Sequence, residues 1–180
     1  LSLGLAGCGG GSGAVEELIE KVLDQTPDNF DFDPQTDVQL STAVESNEVT
    51  ISGVEGAVVI SITGGEYVID DNNGNGTYTD ANGSVSNGHK IKVRVTSSSN
   101  NSDAATAVLT VGKLVKSFIV TTIPDQIPDD FNFTAQSDAL LSAVVISSEI
   151  AVSGIEIPVD ISVSNGGEYS INNGPFISTD

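Results

Sequence analysis

Apolar and polar residues alternate strictly along much of the chain. Val49 and Ile51 alternate with Glu48, Thr50 and Ser52, and Val58, Ile60 and Ile62 with Val59, Ser61 and Thr63. Further on, Ile91, Val93 and Val95 alternate with Lys90, Lys92 and Arg94. A period of two sends one set of side chains to one face of an extended chain, so each stretch predicts a half-buried strand of an antiparallel sheet. Further strands are expected at Glu66–Asp70, Ala105–Val111 and Leu114–Thr121. Gly64-Gly65, Asn82-Gly83 and Asn87-Gly88 supply the turns. One segment departs from this period. Val15, Leu18, Ile19 and Val22 fall at helical spacing, with Glu16, Glu17, Glu20 and Lys21 on the other face. This predicts a short amphipathic helix over 14–25, marginal alone and in need of a docking surface. Its acidic polar face disfavours the membrane interface as that surface.

The strands belong to an internal repeat. Pro27-Asp28-Asn29-Phe30-Asp31-Phe32 recurs as Pro128-Asp129-Asp130-Phe131-Asn132-Phe133, 101 residues later, and residues 27–62 match 128–163 at 17 of 36 positions without a gap. Apolar mismatches are mostly Val for Ile, as at Val49/Ile150 and Ile51/Val152. After one inserted residue, Gly65-Glu66-Tyr67 returns as Gly167-Glu168-Tyr169. Aligning Asp180 near Asp80 leaves about 42 residues of the first copy, which continues to Thr122, without a counterpart in the second, so the second copy is expected to be incomplete. The expected organisation is 26–122 for the first repeat and 123–180 for the second.

Seven or more short strands per unit is the pattern of an immunoglobulin-like sandwich, here without the Cys–Trp–Cys signature of antibody domains. Across nearly all of 27–122 the unit also resembles the tandem Ig-like repeats of large bacterial surface and adhesin-type proteins. The likeness rests on Phe30-Asp31-Phe32, Val49–Gly53, Gly65-Glu66-Tyr67, Val85–Ser99, Ala107–Gly112 and Phe118–Thr122. It implies an all-β fold of tandem sandwiches, the second truncated, used as stalks, spacers or adhesive arrays. It implies no particular ligand.

At the start of the chain, Leu5-Ala6-Gly7-Cys8 resembles the lipobox of bacterial lipoproteins, in which the signal is cut before a Cys that is then lipid-modified. The chain has one Cys, at this place, and Gly9-Gly10-Gly11-Ser12-Gly13 follows as a flexible tether. The expected division is a signal remnant at 1–7 and a lipidated Cys8 with tether at 8–13. The membrane is then a partner through that lipid, and two or more acyl chains give stable anchoring. In a Gram-negative cell, Gly9 after the Cys implies sorting to the outer membrane, so the expected location is the bacterial envelope, at the outer membrane or cell surface. The alternative is a chance Cys in an unprocessed tail.

Composition narrows the chemistry. With 25 Asp and Glu against 6 Lys and Arg, a formal charge of −19 repels polyphosphate, so nucleic acid is not an expected partner. One Cys and one His build neither an internal disulfide nor a zinc framework. Asp71-Asn72-Asn73-Gly74-Asn75-Gly76 fits the opening of a calcium loop, with Asp71, Asn73, Asn75, Thr77 and Asp80 as candidate oxygen ligands. The twelfth position is Asn82 rather than Glu, and the second copy has Asn172-Asn173-Gly174-Pro175 instead. An Asn/Gly hairpin turn is the competing reading. Asp28, Asp31, Asp33, Asp125, Asp129 and Asp130, near the domain entry and junction, form a second calcium candidate or a solvated acidic cluster.

No catalytic constellation is expected. His89 reads as an exposed turn residue, and Glu66 and Glu168 are equivalent places in two copies rather than a pair. Tyr67, Tyr169, Phe30, Phe32, Phe131 and Phe133 read as core and sheet-edge packing, and Lys90, Lys92 and Arg94 as a basic stripe balanced by nearby carboxylates. Three functions follow as candidates: a lipid-anchored, non-enzymatic surface protein whose repeats form a stalk or bind a protein or glycan; the anchoring and spacer part of a larger extracellular hydrolase with its catalytic domain beyond residue 180; and a calcium-dependent assembly module.

Overall fold

The computed structural model describes residues 23–70 and 76–178. They are all-β, with nine strands in two sheets: β1 (Gln35–Val38), β2 (Ala43–Glu45), β3 (Val49–Thr50), β4 (Val58–Thr63), β5 (Glu66–Asp70), β6 (Gly83–Val85), β7 (Lys90–Thr96), β8 (Ala104–Val111) and β9 (Leu114–Thr122). The three stretches of longest alternation become β4, β7 and the short β3, and β5, β8 and β9 lie where expected. The three- and four-residue strands β1, β2 and β6 carry too little periodicity to be read from sequence. Gly83, expected in a turn, opens β6 instead.

One sheet has the order β1-β9-β8-β4-β6, with β1 parallel to β9 and the other pairs antiparallel. In the other, β7 is central. β5 runs along one side of it, and β2 and β3 lie end to end along the other. Ser46 bridges the gap between β2 and β3: its N–H donates to the Val93 carbonyl at 2.8 Å, and its hydroxyl accepts the Val93 N–H at 2.9 Å. A buried hydroxyl thus replaces the missing ladder bond.

The inward residues of both sheets make one core. Of its 18 buried apolar residues, nine lie between Phe32 and Tyr67 and nine between Val85 and Val120. Either half alone leaves its apolar face open, so the sandwich closes only when residues 83–122 fold back on the preceding half.

Most of the helix expected over 14–25 lies outside the described residues. Its last residues, 23–25, are not helical. The Asp24 carbonyl accepts Glu55 N–H at 2.8 Å, the Gln25 carbonyl accepts Lys113 N–H at 3.2 Å, and Asp24 Oδ1 caps Thr26 N–H at 2.9 Å. An Asx turn ahead of Pro27 favours this extended entry over another helical turn.

Residues 123–178 contain no strand and no buried residue; one isolated bridge joins Tyr169 to Ile177. They nevertheless repeat the first copy's local geometry. Positive φ occurs at Asp37 and Asp138, and at Ser41 and Ser142. Asp28 N–H donates to the Ser52 carbonyl and Ser52 Oγ donates to the Asp28 carboxylate at 2.9 and 2.8 Å; Asp129 and Ser153 do the same at 2.8 and 2.9 Å. The glycine beside each clasp, Gly53 at φ +81° and Gly154 at φ +83°, has its Cβ position 2.7 and 2.6 Å from the Asp side chain, so the clasp needs glycine on both counts. The repeat also starts earlier than its sequence match. Asp24/Glu55 and Asp125/Glu156 make the same backbone bonds, at 2.8 and 2.9 Å.

Candidate functional site

The densest array of ionisable side chains lies on the outer face of the sheet centred on β7. Alternation turns Ile91, Val93 and Val95 inward, and the same alternation turns Lys90, Lys92 and Arg94 outward. Strand register places Arg94 opposite both Glu66 and Glu45, and Lys90 opposite Asp70. Lys90 pairs with Glu48 at 2.8 Å and Lys92 with Glu45 at 3.8 Å, while Arg94 donates from Nε and Nη2 to Glu66 Oε2 at 3.1 and 2.6 Å. The Arg94 guanidinium also lies 4.1 Å from the centre of the Tyr78 ring. These residues are partly solvated, so each pair contributes little by itself and chiefly fixes strand register.

Between them is an open cleft of about 210 Å³, lined by Glu45, Glu48, Asp70, Tyr78, Lys90 and Lys92. That is smaller than the usual ligand pocket of about 300–1,000 Å³. Its charges already face one another. Glu48 holds the Lys90 ammonium above its ordinary pKa, and Glu66 does the same for the Arg94 guanidinium. Burial, with a hydrogen bond to Glu45, pushes the Tyr78 phenol up to about 12. Neither raised cation supplies a base, and the neutral phenol is a donor with its partner already in place.

The Tyr78 shift has a defined sign. Because the folded state disfavours the phenolate, the stability it lends is complete below the ordinary tyrosine value of about 10 and is lost as pH rises toward 12. Phenolate absorbance of the wild-type chain is expected to show a late step from Tyr78, near pH 12, and from Tyr67, whose phenol burial also raises; Tyr78→Phe is expected to lose one tyrosine's amplitude from that step. Retention of the full late amplitude in the variant counts against the assignment.

The other residues singled out from sequence are dispersed. Cys8, Asp71, Asn73 and Asn75 lie outside the described residues. Thr77 and Asp80 are exposed on the segment whose Thr79 bridges Tyr67. Among the described residues, no three His, Cys, Asp or Glu side chains come together as a metal-binding group. His89 is half-buried rather than exposed, because its carbonyl accepts the Ile51 N–H at 2.9 Å and draws it against the sandwich; its Nδ1 has no partner. Glu66 is paired with Arg94, and Glu168 lies in the other copy. Tyr67 is buried, with its hydroxyl donating to the Ala81 carbonyl at 2.8 Å.

Four of the six junction acids, Asp28, Asp31, Asp125 and Asp129, are held by bonds to their carboxylates. Asp28 and Asp129 close their clasps, Asp125 Oδ1 caps Ile127 N–H at 2.9 Å, and Asp33 N–H donates to Asn47 Oδ1. Lys116 donates to Asp31 at 2.7 Å and holds its carboxyl below the usual range. Glu156, which the sequence did not single out, accepts from the Asp125 N–H at 2.9 Å and from the Ser102 hydroxyl, tying the loop before β8 to the second copy. Glu45, Glu48 and Tyr78 were also not singled out. Their signal is cross-strand register, which one chain of letters does not contain. Among the described residues no helix is long and apolar enough to cross a membrane. Comparison with protein-family models, with curated proteins and with solved structures finds no match.

Proposed function

We propose that the chain is a membrane-anchored cell-surface lipoprotein whose Ig-like repeats act as a non-catalytic stalk or as an adhesion or binding module. The observation that carries this reading is the recurrence of one structural unit at a fixed offset, with its turns and its Asp–Ser–Gly clasp kept in both copies. Repetition of turns and clasps at constant spacing is what stacked modules require, since each unit contacts only its neighbours. The Glu156 contact with Ser102 supplies such a neighbour contact. The lipobox-like Leu5-Ala6-Gly7-Cys8 and the glycine tether supply the anchor.

Replacing Cys8 with Ser in the producing cell tests the anchor. The wild-type protein is expected in the detergent phase after phase separation, with an acylated N-terminus by mass, and Cys8→Ser in the aqueous phase. Identical partitioning of the two proteins, or an unmodified Cys8, overturns the reading.

A further inference from the structure

Residues 131–177 present an apolar face that the first copy buries. Phe133, Val152 and Ile161 are 56%, 49% and 47% exposed, whereas their counterparts Phe32, Ile51 and Ile60 are 6%, 0% and 0% exposed. In the first copy, that difference comes from β6–β9, which bring the nine core residues from Val85 to Val120. The Tyr169–Ile177 bridge corresponds to Tyr67–Thr79. In this register the described residues of the second copy match the first only as far as Asp80, so β6–β9 have no counterpart among the described residues after Thr122.

Charge divides at the same place. Residues 83–122 carry five of the six Lys and Arg and a single acid, Asp103; residues 123–180 carry nine acids and no Lys or Arg. In the first copy, the ion pairs Lys90–Glu48, Lys92–Glu45, Arg94–Glu66 and Lys116–Asp31 all join a cation of the later half to an acid of the earlier half. The second copy keeps two of those acids, as Glu149 and Glu168.

We propose that the face of residues 128–177 is the acceptor half of a second sandwich, and that its occupant is a basic, four-stranded polypeptide segment patterned like residues 83–122. The occupant's alternating Val and Ile residues lie over Val152 and Ile161, and its outward cations meet Glu149 and Glu168. The turns on the acceptor are preset by the positive φ of Asp138, Ser142 and Gly154, so docking orders few further backbone angles there. This inference goes beyond the proposed anchoring, and the Cys8→Ser outcome bears on neither its support nor its failure.

A synthetic peptide of residues 83–122, mixed with the full 180-residue chain, tests it. Chymotryptic cleavage at Phe131, Phe133, Leu141 and Phe176 is expected to slow by about tenfold or more. Binding of a dye for exposed apolar surface is expected to fall, and the protection to weaken with salt. A control peptide with Ile91→Ser, Val93→Ser and Val95→Ser is expected to protect nothing. Because a free peptide of this pattern is prone to self-association, the same segment appended after residue 180, in natural and control forms, gives a second measurement. Lack of protection in both formats overturns the proposal, as does equal protection by natural and control segments. Concentration-dependent protection of the chain by itself also overturns it, and assigns the face to a second copy.

Discussion

Replacing Phe118 with Ala is expected to lower the unfolding free energy of the two-sheet core by about 3–5 kcal/mol. Phe118 is fully buried on β9, its ring edge-to-face with Phe32 at 6.3 Å and 65°, and Phe32 packs in turn on Phe30 at 5.7 Å and 71°. The three rings lock the entry segment to the last strand. Truncating the middle of a close-packed core removes both apolar burial and the dispersion contacts of the cavity walls, which backbone held in two ladders cannot collapse to recover. With a typical domain stability of about 5–15 kcal/mol, the variant loses a large part of the total. The measurement is a denaturant midpoint at unchanged slope. Phe133→Ala is the internal control, since that ring is 56% exposed; its effect is expected to stay within about 0.5 kcal/mol. Equal effects of the two substitutions would place Phe118 outside the core.

Gly64→Ala is expected to cost about 3 kcal/mol or more. Gly64 and Gly65 carry the chain from β4 in one sheet to β5 in the other, and Gly64 does so at φ +77°. A left-handed backbone at a residue bearing a Cβ costs about 1–3 kcal/mol. Here the added carbon also falls 2.4 Å from the Thr106 carbonyl oxygen on β8, a backbone atom in an interior strand of its sheet. Relief requires moving that strand, which adds an overpacking cost of about 1–3 kcal/mol. Gly166 occupies the same place in the second copy, at φ +71°, and a Cβ there meets nothing within 4 Å. Gly166→Ala is therefore expected to show the backbone strain without the clash. Thermal or denaturant unfolding of both variants checks the ordering, and a Gly64→Ala protein as stable as Gly166→Ala rules out the close approach.

These paired substitutions also show where sequence reading stops. The exposed Phe133 holds the place of the buried Phe32 in the same Phe-x-Phe motif, and Gly64 and Gly166 open the same Gly-Gly-Glu-Tyr string. Nothing local separates the members of each pair. The strands themselves were legible where alternation ran for five or more residues, as in β4 and β7, because period-two patterning is a local consequence of having one buried face. The repeat was legible as well, together with the basic stripe of β7. The short strands β1, β2 and β6 were not, since three or four residues hold no period. The half-buried setting of His89 and the Glu45–Tyr78–Arg94 contacts depend on which strands become neighbours.

By itself, then, the sequence determined the all-β character of the described residues, the spacing of the repeat, the inward residues of the long strands and a net charge of −19. Tertiary structure decided that this acidity is divided, with acidic residues of the earlier half paired to the cations of residues 83–122, and that each half supplies nine of the 18 core residues. The physical reason is that alternation specifies only that a face must be covered. What covers it is fixed by contacts between residues far apart in the chain, and residues 128–178, with the same pattern and the same turns but no covering strands, remain open.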